Sequence, residues 1–450
     1  IISLALKRLE QETDLQIMSD GFQWEQSNNY HNEVLLVLLD VIIDADKNRI
    51  QFPDSLKSKI KKMAEAALKT IKPNGHNPLF GDSDDTDMRD IMSRCALVFG
   101  RSDFKYYGFD RLDFNTVWQT GTDGIEKYNK IDKIPPSFNN TFLADSGNYI
   151  LRENQTNTSN YLLFHNGYTG AGHAHADKLH FDLMIKGRDV LVDAGRYTYL
   201  NNAQRRYIKS PMAHNVCLID NKQYLQVTTQ WETKNPAMAV QYPCFDNEYC
   251  TLIGGAHLGY LKSRNAFIER KILYIKPDIY VIVDVFKAKG FHTYQQYFHF
   301  APTGKTTISA KNAQFDDGIV KANMHFVIPN AKIKKEDSIY SSNYNAICKN
   351  DCIKSSFSAF GNTSLITVIY GNTEENFVPY DVSFKQIKTA RSGKTLPFSK
   401  AQGVVIKTPE KEYTVCLAFK ELKEPFGCNN KIGSGTISVF ENDKLIFTKW

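Results

Sequence analysis

"GYTGAGHAHADKLHFDLMIKGRDVLVDAG", Gly167 to Gly195, sets three histidines and four aspartates among strand-forming apolar residues. Its second half reads as two strands joined at "IKGRDV", a hairpin turn. On an alternating strand, His173, His175 and Asp177 point to one face. Asp193 follows on the next strand, and His214 comes later in "SPMAHNVCLID". Two imidazoles and a carboxylate form a common Zn2+ ligand set, provided adjacent strands bring them together. A lone buried histidine is better read as bonded to sheet backbone. His-x-His with an aspartate and a later His-Asn favours a metal, with His175, Asp193 and His214 as ligands.

Working outward, the text after about Leu143 is strand upon strand with polar turns. "GNYILREN", "NYLLFHNG", "IERKILYIKPDIYVIVDVFKA", "HTYQQYFHFAP", "SLITVIYG" and "TISVFENDKLIFTKW" show period-2 or buried-strand character. Antiparallel strands over such a length predict a multi-sheet β-sandwich. Before it the text is helical. Apolar residues recur with helical period in Ile1–Met18 and Tyr30–Asp46, and a third helix runs over Pro53–Ile71. A fourth spans Asp84–Gly100, with acids in its first turn and Gly100 as its stop. Pro135 and Pro136 break any helix. The expected organisation is a helical part over residues 1–134, resembling a toroid or array, and a β part over 135–450. The apolar start at Ile1 reads as a helix already under way, so the sequence is expected to open inside a domain.

Bulk composition excludes some classes. A chain of 450 residues calls for two or three domains. The net charge of +6 is dispersed, with no basic block of the kind that binds nucleic acid. It suits an anionic ligand, although ordinary surface lysines explain it equally. The longest apolar run, Val34–Ile43, contains Asp40 and is too short to span a bilayer. The eight cysteines form no framework and read mostly as buried thiols.

Two more clusters stand in the helical text. "DGFQWEQSNNYHNEV", Asp20 to Val34, crowds Trp24, Glu25 and Tyr30 at a helix entrance. Ser27, Asn28 or Asn29 can serve as N-cap, which leaves Trp24, Glu25 and Tyr30 unexplained. "NPLFGDSDDTDMRD", Asn77 to Asp90, offers carboxylates for a cation, but acids preceding a helix account for it without one.

The motifs "DGFQWEQSNNYH" and "GHAHADKLHFDLMIKGRDVLVDAGRYTY", followed by "RRYIKSPMAHNVCLIDN", resemble the heparinase II/III family of polysaccharide lyases, which includes related alginate lyases. The resemblance implies an α+β architecture: an N-terminal (α/α) toroid, truncated at its front, followed by a large antiparallel β-sandwich. It implies a lyase acting by β-elimination on a uronate-containing glycan, heparan sulfate or heparin foremost and alginate second. A non-catalytic glycan-binding protein of the same build is the third reading. The resemblance gives Tyr30 and His173 the acid–base roles and makes Tyr199 a further cleft residue. It gives His175, Asp193 and His214 to one divalent metal, structural Zn2+ or else Ca2+, and Glu25 and Arg206 to substrate contact. It also implies a bacterial periplasmic or extracellular setting and an anionic polysaccharide as partner, with no nucleic acid and no membrane span. Family members carry a carboxylate-neutralising Asn or His well upstream of the Tyr-His motif, and no residue here matches it.

Overall fold

The computed structural model describes residues 1–328 and 330–449. Six helices come first: α1 (Ile2–Gln16), α2 (Asn28–Lys47), α3 (Asp54–Thr70), α4 (Arg89–Phe99), α5 (Ser102–Tyr107) and α6 (Phe114–Asn129). The apolar stripe predicted for the second helix is buried as Leu35, Leu38, Leu39 and Ile42. It packs on Leu56, Ile60, Met63 and Ala67 of α3 and on Ile91, Met92 and Cys95 of α4. At about 25 cal/mol per Å2 removed from water, each such Leu or Ile contributes roughly 1.5–3 kcal/mol. No described helix is long and apolar enough to cross a membrane.

Two helix ends differ from their sequence reading. Ser27 stands at the N-cap of α2, yet its side chain makes no cap bond. Its hydroxyl donates to the Asp82 carbonyl, and the Ser83 hydroxyl accepts from the Asn29 N–H instead. The cap is thus supplied by a loop 54 residues away. The fourth helix begins at Arg89 rather than Asp84: Asp82 and Asp84 serve side-chain partners, while Asp87 meets the helix end, accepting from the Arg89 N–H at 3.0 Å. Gly100 does stop it, at φ 63° in the left-handed region.

Next comes an antiparallel meander, β1 (Thr141–Leu143), β2 (Asn148–Arg152), β3 (Tyr161–His165), β4 (His180–Ile185) and β5 (Arg188–Leu191). The β4–β5 turn uses Lys186 at φ 47° and Gly187 at φ 77°, the geometry of a tight hairpin. Strands β2 to β4 are buried throughout. Ile150, Tyr161, Leu163 and Met184 share one core with Phe22, Ala66 and Phe80 from the helical text. This shared core explains why the compact units do not divide where the text changes. The first unit comprises residues 1–214, 225–236 and 339–348, and the second the remaining β-rich chain.

One expectation fails locally. Residues 166–179, between β3 and β4, form no strand. Their backbone groups bond elsewhere: the Asp82 N–H to the His173 carbonyl, and the Ala176 N–H to the Lys209 carbonyl. His173, His175 and Asp177 therefore do not share a sheet face.

In the second unit a nine-stranded sheet includes Cys250–His257, Phe267–Ile275, Ile279–Lys287 and Thr363–Thr373. A five-stranded sheet includes Ala401–Lys407, Glu412–Ala418 and Ile437–Glu441. Leu273, Val281, Val283 and Val368 from the first pool in one core with Val404, Ile406, Val415 and Val439 from the second. On the opposite face of the nine-stranded sheet, Arg270 is buried against Asp284, its Nε 2.6 Å from Oδ1 and its Nη2 2.9 Å from Oδ2. Of the eight cysteines, six are buried, as the sequence suggested.

Candidate active site

The Asp20–His31 segment is held by its own residues. Gly21 turns at φ 92°, and a Cβ there would lie 2.3 Å from the Lys62 carbonyl oxygen. The Asp20 carboxylate accepts from the backbone and hydroxyl of Ser146. His31 is structural: it is fully buried, stacks on Phe22 at 4.6 Å and bonds the Met63 carbonyl. Burial lowers its pKa to about 4, so it is neutral. This scaffold fixes Glu25 before α2 and Tyr30 in its first turn.

Four of the residues named from sequence then converge. The Tyr30 ring stacks on His173, with centroids 3.5 Å apart and planes 13° apart. The Tyr30 and Tyr199 hydroxyls lie 2.7 Å apart. His173 Nδ1 pairs with the Glu25 carboxylate. Gly170 lets this loop approach, since a Cβ there would lie 2.5 Å from the Glu25 carbonyl oxygen. Burial pushes the Tyr199 phenol well up, with the Asp82 charge adding to it, so Tyr199 keeps its proton. Arg196 Nη1 donates to the Tyr199 oxygen at 3.1 Å. A guanidinium only donates, which leaves the Tyr199 hydrogen available to the Tyr30 oxygen.

Arg206 is not among them. It is half-buried and donates to Asn201 Oδ1 at 2.6 Å. Neighbours on a helix point about 100° apart, and on α7 (Ala203–Ile208) it is Arg205 that turns inward. Arg205 is fully buried and its Nη2 lies 2.7 Å from Asp82 Oδ2. Asp82, Asp84, Arg196 and Arg205 were thus missed as site residues, although each stands in a quoted stretch. In "GDSDDTD" each acid has a basic partner: Asp82 has Arg205 and His175, Asp84 has Arg196, Asp85 has Lys72 and His76, and Asp87 has Arg89. The run is neither a cation site nor the first turn of a helix.

The donor atoms of His175, Asp193 and His214 lie within 4.8 Å of one another, and all three side chains are fully buried. His175 Nε2 bonds Asp82 Oδ1 at 2.8 Å, and its Nδ1 has no hydrogen-bond partner. His214 Nδ1 faces Asp193 Oδ2 at 2.8 Å, and its Nε2 has none. Burial lowers both imidazoles to about 4, so they are neutral donors, and it pushes the Asp193 carboxyl up. Two neutral imidazoles with an unpartnered nitrogen, beside a carboxylate strained by burial, fit a divalent cation. The Asp82–His175 bond is the outer-shell contact that orients such a ligand.

Comparison with known proteins agrees with these motifs. The heparinase II/III N-terminus family model matches residues 2–106, and the heparinase II/III-like, C-terminal model matches residues 135–368. A heparin-sulfate lyase of Pedobacter heparinus is 27% identical over 255 residues, which is 53% of this chain and 36% of that protein. One from Bacteroides thetaiotaomicron is 25% identical over 301 residues, 61% of this chain and 39% of that protein. The chain therefore spans well under half the length of these curated relatives. Among solved structures, heparan sulfate lyase HepC from Pedobacter heparinus superposes with a TM-score of 0.75 at 18% identity, covering 93% of this chain and 62% of that one. A heparinase III gives 0.73 at 15% identity, covering 92% and 63%. At these identities the likeness shows the fold: helices, then many antiparallel sheets.

Proposed function

This chain belongs to the heparinase II/III family, and from that premise we propose that it is a polysaccharide lyase that cleaves heparan sulfate by β-elimination. The observation that carries the reading is the contact of Tyr30 with Tyr199 and His173. The names of the curated relatives favour heparan sulfate over alginate. β-Elimination removes the C5 proton of a uronate. The C5–H electron pair becomes the C4–C5 double bond, the C4–O4 bond breaks, and O4 takes up a proton. Tyr30 is the group at the reacting atoms. Its hydroxyl gives the proton that O4 takes up, and the Tyr199 hydrogen bond, backed by Arg196, stabilises the negative charge left on its oxygen. With Nδ1 committed to Glu25, His173 keeps its lone pair on Nε2 and takes the C5 proton as the base.

His175, Asp193 and His214 would hold one divalent ion, zinc by its imidazole donors. When bound it supplies fixed positive charge that ties the loop carrying His173 to Asp193 and His214. On the same reading the helices are an arc of an (α/α) toroid, the two large sheets are a β-sandwich, and the protein works in a bacterial periplasm or outside the cell.

The test is absorbance of the unsaturated uronate during incubation with heparan sulfate, hyaluronan, chondroitin and alginate. Signal on heparan sulfate, abolished by Tyr30→Phe with folding intact, is the expected result. Silence on all four polymers would sink the reading, and signal on alginate alone would correct the substrate.

A further inference from the structure

Two short stretches of the later chain, 225–236 and 339–348, belong to the first compact unit. Each delivers one large aromatic ring to Tyr199. The Trp231 centroid lies 4.7 Å from Tyr199, at 31°, and that of Tyr344 lies 5.6 Å away, at 49°. Trp231 also meets His173 edge-on at 5.6 Å. Neither ring is covered: Trp231 is 40% and Tyr344 44% exposed. These two are left open beside the acid–base cluster.

Both are held in place by backbone. Trp231 stands at the tip of a hairpin, Gln226–Val227 with Thr233–Lys234, where Thr229 Oγ1 accepts from the Trp231 and Glu232 N–H groups at 3.2 and 3.0 Å. Gly172 makes room for it, since a Cβ there would lie 3.3 Å from the indole. The Tyr344 stretch is tied by the Ser341 N–H to the Ala194 carbonyl and by the Asn345 N–H to the Tyr197 carbonyl. The Arg196 guanidinium lies 5.0 Å from the Tyr344 centroid.

A pyranose ring has an apolar C–H face that packs on an aromatic ring, while its charged substituents face cations. We propose that Trp231 and Tyr344 are sugar-stacking residues that seat successive pyranose rings of an anionic glycan against the Tyr30–Tyr199 pair. The proposal rests on the lyase reading for its choice of ligand, and its test is kept separate from turnover.

The experiment measures binding of size-defined octasaccharides of heparan sulfate, chondroitin and alginate to the Tyr30→Phe protein by tryptophan fluorescence and calorimetry. It is repeated with Trp231→Ala, Trp231→Phe or Tyr344→Ala added, and KM and kcat are read on each stacking variant with Tyr30 intact. Loss of one stacked ring is expected to weaken Kd about tenfold. Trp231→Phe restores most of it while removing the fluorescence change. The effect falls on KM rather than kcat. Wild-type Kd and KM in both alanine variants overturn the proposal, as does absence of binding to all three octasaccharides. Binding that depends on both rings without turnover by any variant upholds the stacking role and refutes the lyase. Turnover that ignores both rings does the reverse.

Discussion

Asp82→Asn removes one charge and almost no volume from the most buried ion pair of the first unit. Asp82 and Arg205 have side chains fully removed from solvent. The carboxylate takes the Arg205 fork on both oxygens and the His175 Nε2 contact on Oδ1. Burial pushes the Asp82 carboxyl up, but His175 and Arg205 outweigh it and hold it well below the ordinary carboxylate range. An asparagine turns its NH2 toward one of these donors, so a donor faces a donor. It also leaves the guanidinium buried without a counter-charge, a change that costs about 3–5 kcal/mol. Arg205 keeps the Arg196 carbonyl at 3.0 Å, the Gln230 carbonyl at 3.3 Å and the Tyr199 ring at 5.2 Å, which places the loss at the lower end, about 3 kcal/mol. His175 also loses its orienting partner, which lowers metal affinity about 10- to 100-fold. The assay is urea denaturation read by hydrogen exchange over residues 174–193, with zinc affinity measured by chelator competition. A companion Arg205→Met variant completes a double-mutant cycle and isolates the pair. A stability change within about 0.5 kcal/mol, the range of an ordinary surface substitution, would refute the reasoning.

The other predictions address the same region. Tyr199→Phe removes the hydrogen given to the Tyr30 oxygen, so kcat should fall and the basic limb of the pH–rate profile should move to higher pH; an unchanged profile would count against the donor role. Gly170→Ala places a methyl 2.5 Å from the Glu25 carbonyl oxygen and should displace the loop that carries His173, lowering kcat by at least about tenfold, while global unfolding by circular dichroism shifts little. The Asp85 carboxylate, whose Oδ1 lies 3.2 Å from His76 Nδ1, raises His76 above its ordinary 6.5. The stability it adds is therefore full below pH 6.5 and lost as pH rises through the folded value. His76→Gln should destabilise at pH 5.5 more than at pH 8.5, and equal destabilisation in urea at both would contradict this sign.

Sequence alone determined the order of elements, because helical and strand periods are local properties of consecutive residues. The buried stripe of α2, the stop at Gly100 and the Lys186–Gly187 turn were legible for that reason. So was the cast of the site, since Tyr30, Glu25, His173 and Tyr199 stand in two motifs that resemble one family. Tertiary structure decided what those residues touch. "GHAHAD" alternates like a strand, but its backbone bonds are made to Asp82 and Lys209, so His173 turns to Tyr30 and His175 to Asp82. The aspartates of "GDSDDTD" read as helix-end acids, and the basic partners of Asp82 and Asp84, Arg205 and Arg196, lie more than 100 residues away. Arg205 and Arg206 are indistinguishable in sequence, and only the helix's rotation against Asp82 separates them. Trp231 and Tyr344 carried no signal, because nothing local marks a ring whose neighbour is brought to it by the fold. Period and propensity act over a few residues, whereas charge pairing and ring contact act through space, and the chain's path sets which residues are near enough to feel them.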